Sequence, residues 1–261
     1  MIEFAGYFFA VVIGLILGLL GGGGAILTVP VLVYIMGIHP VFATAYSLFI
    51  VGTTSAVGTM KNLRDGMVHL KSGLFFAIPS LIGVYSARMF VVPAIPDIIF
   101  TVGDVTLRKG TALMILLAIV MVFASWSMLK KSVAEKPVTP DRNKTLTLFL
   151  LFLAGLLVGL VGAGGGFLFI PLLLHLMRID IRQAIATSLL IITINSLIGF
   201  TGDLAHLTID WAFLIVFTGF SIVGVIGGIY LGRFIRAERL KRIFGWFLLL
   251  MAVIIFTREL L

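Results

Sequence analysis

Cysteine is absent from the 261 residues, so neither a disulfide nor a thiolate metal site can be built. Acidic residues are scarce: Asp and Glu together number 11, and none falls in the middle of an apolar run. A cation carrier or a carboxylate proton relay would normally place one there. The sequence contains no H-E-x-x-H and no G-x-S-x-G. Its two glycine runs, GLLGGGGAI and GLVGAGGGF, both miss the last glycine of G-x-G-x-x-G and lack a soluble βαβ context. Hydrolase or phosphatase chemistry would need clustered acids, histidines or an activated nucleophile. No catalytic residue, metal ligand or cofactor is therefore expected. The opening Met-Ile-Glu also lacks a basic n-region, so the first apolar segment is expected to stay in the mature chain.

What is present is apolar. Hydrophobic residues make up 61% of the chain against 11% charged, with a mean hydropathy of +1.22. A soluble domain this apolar would have too little polar surface to face water. Several runs are long enough to cross the bilayer, which takes about 20 helical residues, and none alternates as the strands of a barrel do. The chain is expected to be an all-α polytopic membrane protein. The net charge of +8 is no nucleic-acid signature, because the basic residues sit mostly in short loops between spans.

The chain is also duplicated. Gly14–Pro30, GLILGLLGGGGAILTVP, recurs at 155–171 as GLLVGLVGAGGGFLFIP, and the offset of 141 holds without a gap from Gly14/Gly155 to Val84/Val225. Two transmembrane repeats are expected, 1–129 and 145–261, joined by a basic linker at 130–144. The first holds apolar segments at 4–37, 41–60, 72–92 and 111–129, and the second at 146–177, 183–202, 211–232 and 243–257. Basic loops at 61–71, 130–144 and 233–242 belong in the cytoplasm by charge. The balanced or acidic loops at 93–110 and 203–210 belong outside. Counting crossings from those loops, 4–37 must enter from outside and return there, while 146–177 enters from inside and returns inside. Each is then a short helical hairpin interrupted by glycine. With about five segments per half, the two repeats are inverted with respect to each other, and the amino end lies outside. Paired, interrupted hairpins at corresponding places point to a transport site at the repeat interface.

The Gly14-xxx-Gly18, Gly155-xxx-Gly159 and Gly224-xxx-Gly228 patterns are explained by close helix packing. The runs at 21–24 and 162–166 are not, because such glycine content is poor in helix and open backbone in lipid is costly unless it lines a cavity. A structural kink is the plainer alternative. After each run a helix restarts near Ala25 and Gly166, and its free N–H groups attract anions. The next segment supplies hydroxyls and an amide. The candidate substrate-binding set is Gly21, Gly22, Gly23, Gly24, Ala25, Ser47, Thr54 and Ser55 from the first half. The second half contributes Gly162, Ala163, Gly164, Gly165, Gly166, Thr187, Ser188 and Asn195. Interhelical hydrogen bonding would account for the same hydroxyls without a ligand. Arg88, near the end of its segment, is expected to snorkel to the interface. Lys61 and Arg64 are read as topology determinants, His175 as a packed or rim histidine, and Asp203 and His206 as outer-loop residues.

The duplicated G-x-x-G-G-G-G…V-P and G-x-x-G-A-G-G-G…I-P runs, followed by A-x-A-Y-S-L at 43–48 and A-I-A-T-S-L at 184–189, resemble the sulfite exporter TauE/SafE family of anion permeases. The resemblance covers nearly the whole chain. It implies transport of sulfite or small organosulfur anions across a prokaryotic plasma membrane. It marks Gly21–Gly24, Pro30, Ser47, Gly162–Gly166, Pro171, Thr187, Ser188 and Asn195 as functional positions. The residues alone reach a small-oxyanion carrier, with a small anion and the bilayer as partners, and sulfur enters only with the resemblance. Export is favoured, since a negative-inside potential drives anions outward by about 2.3 kcal/mol per charge per 100 mV. A coupling ion, proton or sodium, is left unassigned. The rival readings are an intramembrane lipid-phosphate enzyme and a passive anion channel. Tyr46 stands where the second repeat has Thr187, so the halves are not expected to make identical contacts there.

Overall fold

A computed structural model describes residues 2–22, 24–102, 105–129, 144–177, 179–232, 234 and 237–260. Gly23, the linker at 130–143 and the side chain of His175 lie outside the described residues.

The chain is mostly helical. Helix α1 (Ile2–Leu20) ends at the first glycine run, and α2 (Ala25–Pro30) restarts after it and continues as a π-helical turn, Val31–Ile35. Helix α3 (Pro40–Arg64) opens on a proline at its first turn, where the missing N–H costs nothing. Helix α4 (Leu70–Ser86), a π-helical turn at Ala87–Val91 and α5 (Val92–Ala94) run on as one rod. A two-stranded antiparallel hairpin follows, β1 (Ile98–Val102) with β2 (Val105–Arg108), where the sequence suggests only a loop. Then come α6 (Lys109–Leu129), α7 (Lys144–Val161), α8 (Gly166–Met177), α9 (Ile181–Asp203), α10 (Trp211–Leu231) and α11 (Ala237–Leu260).

Among the described residues, five helices are long and apolar enough to cross a membrane: 40–64, 70–94, 109–129, 181–203 and 211–231. Shorter apolar helices cover 6–20, 25–35 and 145–161. The outward faces carry large apolar side chains such as Phe8, Phe123, Ile215, Val223 and Leu250, as lipid contact requires.

Helices in lipid associate through close packing rather than through the hydrophobic effect, and the glycines supply it. A Cβ on Gly14 would collide with the carbonyl of Ser221, and one on Gly224 with that of Val11, so α1 lies directly on α10. In the other half, Gly155 abuts Ser80 and Gly83 abuts Phe152, bringing α7 onto α4. These contacts correspond residue for residue under the offset of 141. In both pairs residue numbers rise together, so the partners run parallel. Helices α3 and α9 cross at the centre instead, through Gly58 on Leu189 and Gly199 on Leu48. Their numbers run oppositely, with Thr59 Oγ1 3.3 Å from Thr193 Oγ1 and the tilted rings of Phe49 and Phe200 5.2 Å apart. They are antiparallel.

Candidate functional site

Both glycine runs break their helices by left-handed or related backbone conformations that side chains resist. Gly21 and Gly22 have φ of +59° and +123°, and Gly162, Gly164 and Gly165 have +71°, +65° and +75°. The preceding helices are closed by Gly21 N–H to Leu17 O at 2.8 Å and Gly162 N–H to Val158 O at 2.9 Å. Inside the breaks, the Ala25 N–H donates to Gly22 O and the Gly165 N–H to Ala163 O.

The two breaks meet. A Cβ on Gly22 would strike the Cα of Gly166, and one on Gly164 would stand 3.0 Å from the Cβ of Ala25. Ile192 of α9 packs against Gly22 and Gly166, and Val51, its counterpart in α3, packs against Gly164. Each break also rests on the long helix of the other half: Gly21 on Ile185, and Gly162 on the equivalent Thr44. The candidate residues Gly21, Gly22, Ala25, Gly162, Gly164 and Gly166 are thus brought together, and Ala163 is buried beside them.

The side chains divide by occupation. Ser188 Oγ donates to Gly21 O, and its geometry also reaches Ile185 O at 2.8 Å. Asn195 Nδ2 donates to Ser80 Oγ at 2.8 Å, leaving its Oδ1 without a partner among the described residues. Thr187 Oγ1 accepts from the His69 N–H at 3.0 Å. By contrast, the buried hydroxyls of Ser47, Thr54, Ser55, Ser196 and Thr28 have no hydrogen-bond partner among the described residues. Buried hydroxyls in native proteins are usually bonded.

Tyr46 and Thr187 make one and the same contact, contrary to the sequence expectation. Tyr46 OH accepts from the Asp210 N–H at 2.9 Å, and Asp210 is the counterpart of His69. The phenol and the short hydroxyl each cap the backbone just ahead of a following helix.

Arg88 corrects a second expectation. It does not snorkel: its side chain is 0% exposed. The helix continues past it through the π turn to Ala94, and Gly202 of α9 lets that turn come close, with a Cβ there 3.1 Å from Arg88 Cβ. Asp203 is not a loop residue either. It is the buried last residue of α9 and forms an ion pair with Arg88, Nη1 to Oδ1 at 3.5 Å. Arg88 Nη1 also donates to Thr44 Oγ1 at 3.1 Å. Each residue alone looks peripheral in sequence, and they are 115 positions apart.

Elsewhere, a cavity of about 440 Å³ lies between α1, α2 and α11, lined by groups such as Phe9, Ile16, Leu27, Val31 and Met251. Its apolar walls suit an acyl chain, not an oxyanion. Beside it, Tyr34 OH donates to Glu259 at 2.8 Å and ties the first hairpin to α11.

Residues 7–255 match the model of the family described as Sulfite exporter TauE/SafE. A "Probable membrane transporter protein" of Xylella fastidiosa is 28% identical over 254 residues, covering 95% of this chain and 92% of the relative. A "Probable membrane transporter protein YunE" of Bacillus subtilis is 26% identical, covering 78% and 80% respectively. One from Methanocaldococcus jannaschii is 32% identical over 41% of this chain and 43% of its own length. No solved structure matches the chain.

Proposed function

The chain belongs to the Sulfite exporter TauE/SafE family of membrane transporters, and from that premise we propose that it carries small sulfur-containing oxyanions, sulfite or organosulfonates, out across the plasma membrane. It is a transporter and not an enzyme. The observation that carries the reading of the site is the meeting of the two glycine breaks at Gly22 and Gly166, beside long helices whose hydroxyls at Ser47, Thr54, Ser55 and Ser196 are buried without a partner among the described residues. Backbone breaks facing each other inside a membrane protein, with donors close by, are how carriers bind anions at midplane.

Two inverted halves, 1–129 and 145–261, are part of the reading. It is supported by the antiparallel crossing of the equivalent helices α3 and α9 and by the matching of α1 on α10 with α7 on α4. Rocking of one half against the other about the crossing would then expose the site to each side in turn. The same reading has the linker in the cytoplasm and the amino end outside, and the basic loops support it.

The test is flux of labelled sulfite, sulfoacetate, sulfate and chloride in proteoliposomes holding purified protein. The expected result is saturable sulfite or sulfonate flux with counterflow, and sulfate and chloride carried more slowly. Flux without saturation or counterflow would make the protein a channel. No oxyanion flux at all would remove the reading.

A further inference from the structure

We infer that Arg88 is the charged contact for the transported anion, which binds beside the Gly162 break rather than on the axis between the halves. The inference rests on the transporter reading above and assigns that site its cation.

Arg88 uses only one corner of its guanidinium. Nη1 reaches Thr44 Oγ1 at 3.1 Å and Asp203 Oδ1 at 3.5 Å, while Nε and Nη2 are buried and have no hydrogen-bond partner among the described residues. Nε and Nη2 form the side-on fork of arginine, two parallel N–H donors spaced for two oxygens of one oxyanion. A guanidinium kept only for structure would turn that fork to its carboxylate, because a buried cation with unmade hydrogen bonds is costly. Asp203 instead touches Nη1 at the limit of contact, and its own Oδ2 has no partner among the described residues.

The fork lies at the glycine break. A Cβ on Gly162 would come 2.7 Å from Arg88 Nη2, so the guanidinium lies beside the residue that interrupts the second hairpin. The π-helical turn at Ala87–Val91 carries Arg88 there. Such turns in helices frequently mark functional positions.

The duplication shows how one-sided this is. The counterparts of Arg88, Thr44 and Asp203 under the offset of 141 are Ile229, Ile185 and Asn62. Around Gly21 the first break therefore meets isoleucine and the Ser188 hydroxyl, while the second meets a cation. An anion between two otherwise matching breaks is drawn to the Gly162 side. The ligand class is an anion presenting two oxygens to one edge, such as sulfite or a sulfonate head, in preference to a halide. Asp203 is a positioning residue, which holds Nη1 and repels the anion at the same time.

Purified wild type, Arg88→Lys and Asp203→Asn are titrated with sulfite, methanesulfonate and chloride, with melting temperature measured on the same samples. Losing the fork while keeping the charge should weaken sulfite and methanesulfonate binding by roughly ten- to a hundredfold in Arg88→Lys. It should leave chloride binding within about twofold (~0.4 kcal/mol). Asparagine keeps an oxygen for Nη1 but removes the negative charge, so Asp203→Asn should bind sulfite more tightly. A purely structural pair predicts a lower melting temperature for both and no gain in affinity. If Arg88→Lys does not fold, Asp203→Asn alone decides, and unchanged or weaker sulfite binding overturns the inference. Wild-type flux together with unaltered affinity in folded Arg88→Lys overturns it and leaves the transporter reading standing. A wild type that binds and moves no oxyanion overturns both.

Discussion

Ser47 and Ser188 occupy one position in the two copies, yet only Ser188 has a partner for its hydroxyl, the carbonyl of Gly21 in the opposite half's glycine break. Ser47 is equally buried, at 0% exposure, and its hydroxyl has no partner among the described residues. The pair therefore separates a binding role from a structural one. Ser47→Ala should weaken half-saturation for sulfite by roughly ten- to a hundredfold, the loss of one hydrogen bond to a charged group, about 1.5–3 kcal/mol. Its folding should be unaffected, since alanine suits helix well. Ser188→Ala should lower stability by about 1 kcal/mol by leaving the Gly21 carbonyl with one partner fewer. Half-saturation and melting temperature of the reconstituted proteins check both. A Ser47→Ala protein within twofold of wild type would make that hydroxyl a packing group.

Gly22 and Gly37 test the meeting of the breaks against backbone strain alone. Both have positive φ, +123° and +69°, but a Cβ on Gly37 would meet nothing within 4 Å among the described residues beyond its chain neighbours, while one on Gly22 strikes Gly166. Gly37→Ala should cost only the left-handed strain, roughly 1–2 kcal/mol, and still transport. Gly22→Ala adds overpacking, typically a further 1–3 kcal/mol, and should lose transport. Gly164→Leu should lose it too, because its side chain would enter the space shared with Val51 and Ala25. Equal flux in Gly22→Ala and Gly37→Ala would mean that close contact of the breaks is not required.

Much of this architecture was legible in the sequence because it rests on local chemistry. Unbroken apolar runs set the spans. Glycine clusters marked the breaks at 21–24 and 162–166, and positive φ at Gly21, Gly22, Gly162, Gly164 and Gly165 is what few other residues tolerate. Spacing of small residues marked Gly14, Gly155 and Gly224 as packing positions, but which helices they join, α1 with α10 and α7 with α4, comes from the structure. Arg88 was not legible. Four residues from the apparent end of an apolar run, it could reach water if the helix stopped at Val92, but the rod turns through a π segment and buries it. Its partner Asp203 belongs to the other half, and no local pattern joins them. Which hydroxyls are already occupied was equally hidden, because Ser47 and Ser188 differ only in what lies across the interface. The β1–β2 hairpin was missed since its strands are short and its charges resemble a loop.

Tyr46 and Thr187 should behave as structural caps despite lying next to the two serines. Tyr46→Phe and Thr187→Val each leave a backbone N–H, of Asp210 or His69, without its acceptor. The expected cost is about 1 kcal/mol of stability in each case. Affinity for sulfite in the folded protein should stay within twofold of wild type. A tenfold weakening in Thr187→Val without loss of melting temperature would instead place that hydroxyl on the substrate.

Orientation in the membrane decides which side of the bilayer holds the cation, and the cysteine-free chain makes it measurable. The β1–β2 hairpin follows α5 directly, so Arg88 lies toward the hairpin end of its rod. In the orientation proposed from charge asymmetry, that end is outside and the basic linker inside. Single cysteines at Ile99, a partly exposed position in β1, and at Lys136, in the linker, can then be probed with an impermeant maleimide on intact cells. Ile99→Cys should label directly, and Lys136→Cys only after the membrane is opened. That outcome sets Arg88 on the outer side of the crossing helices, where a cation draws an anion in the direction the membrane potential already drives it, about 2.3 kcal/mol per charge per 100 mV. The opposite labelling would put the cation on the cytoplasmic side and reverse the orientation. The charged contact would then face an anion arriving from the cytoplasm, and capture from within, rather than delivery outward, would be the step it assists.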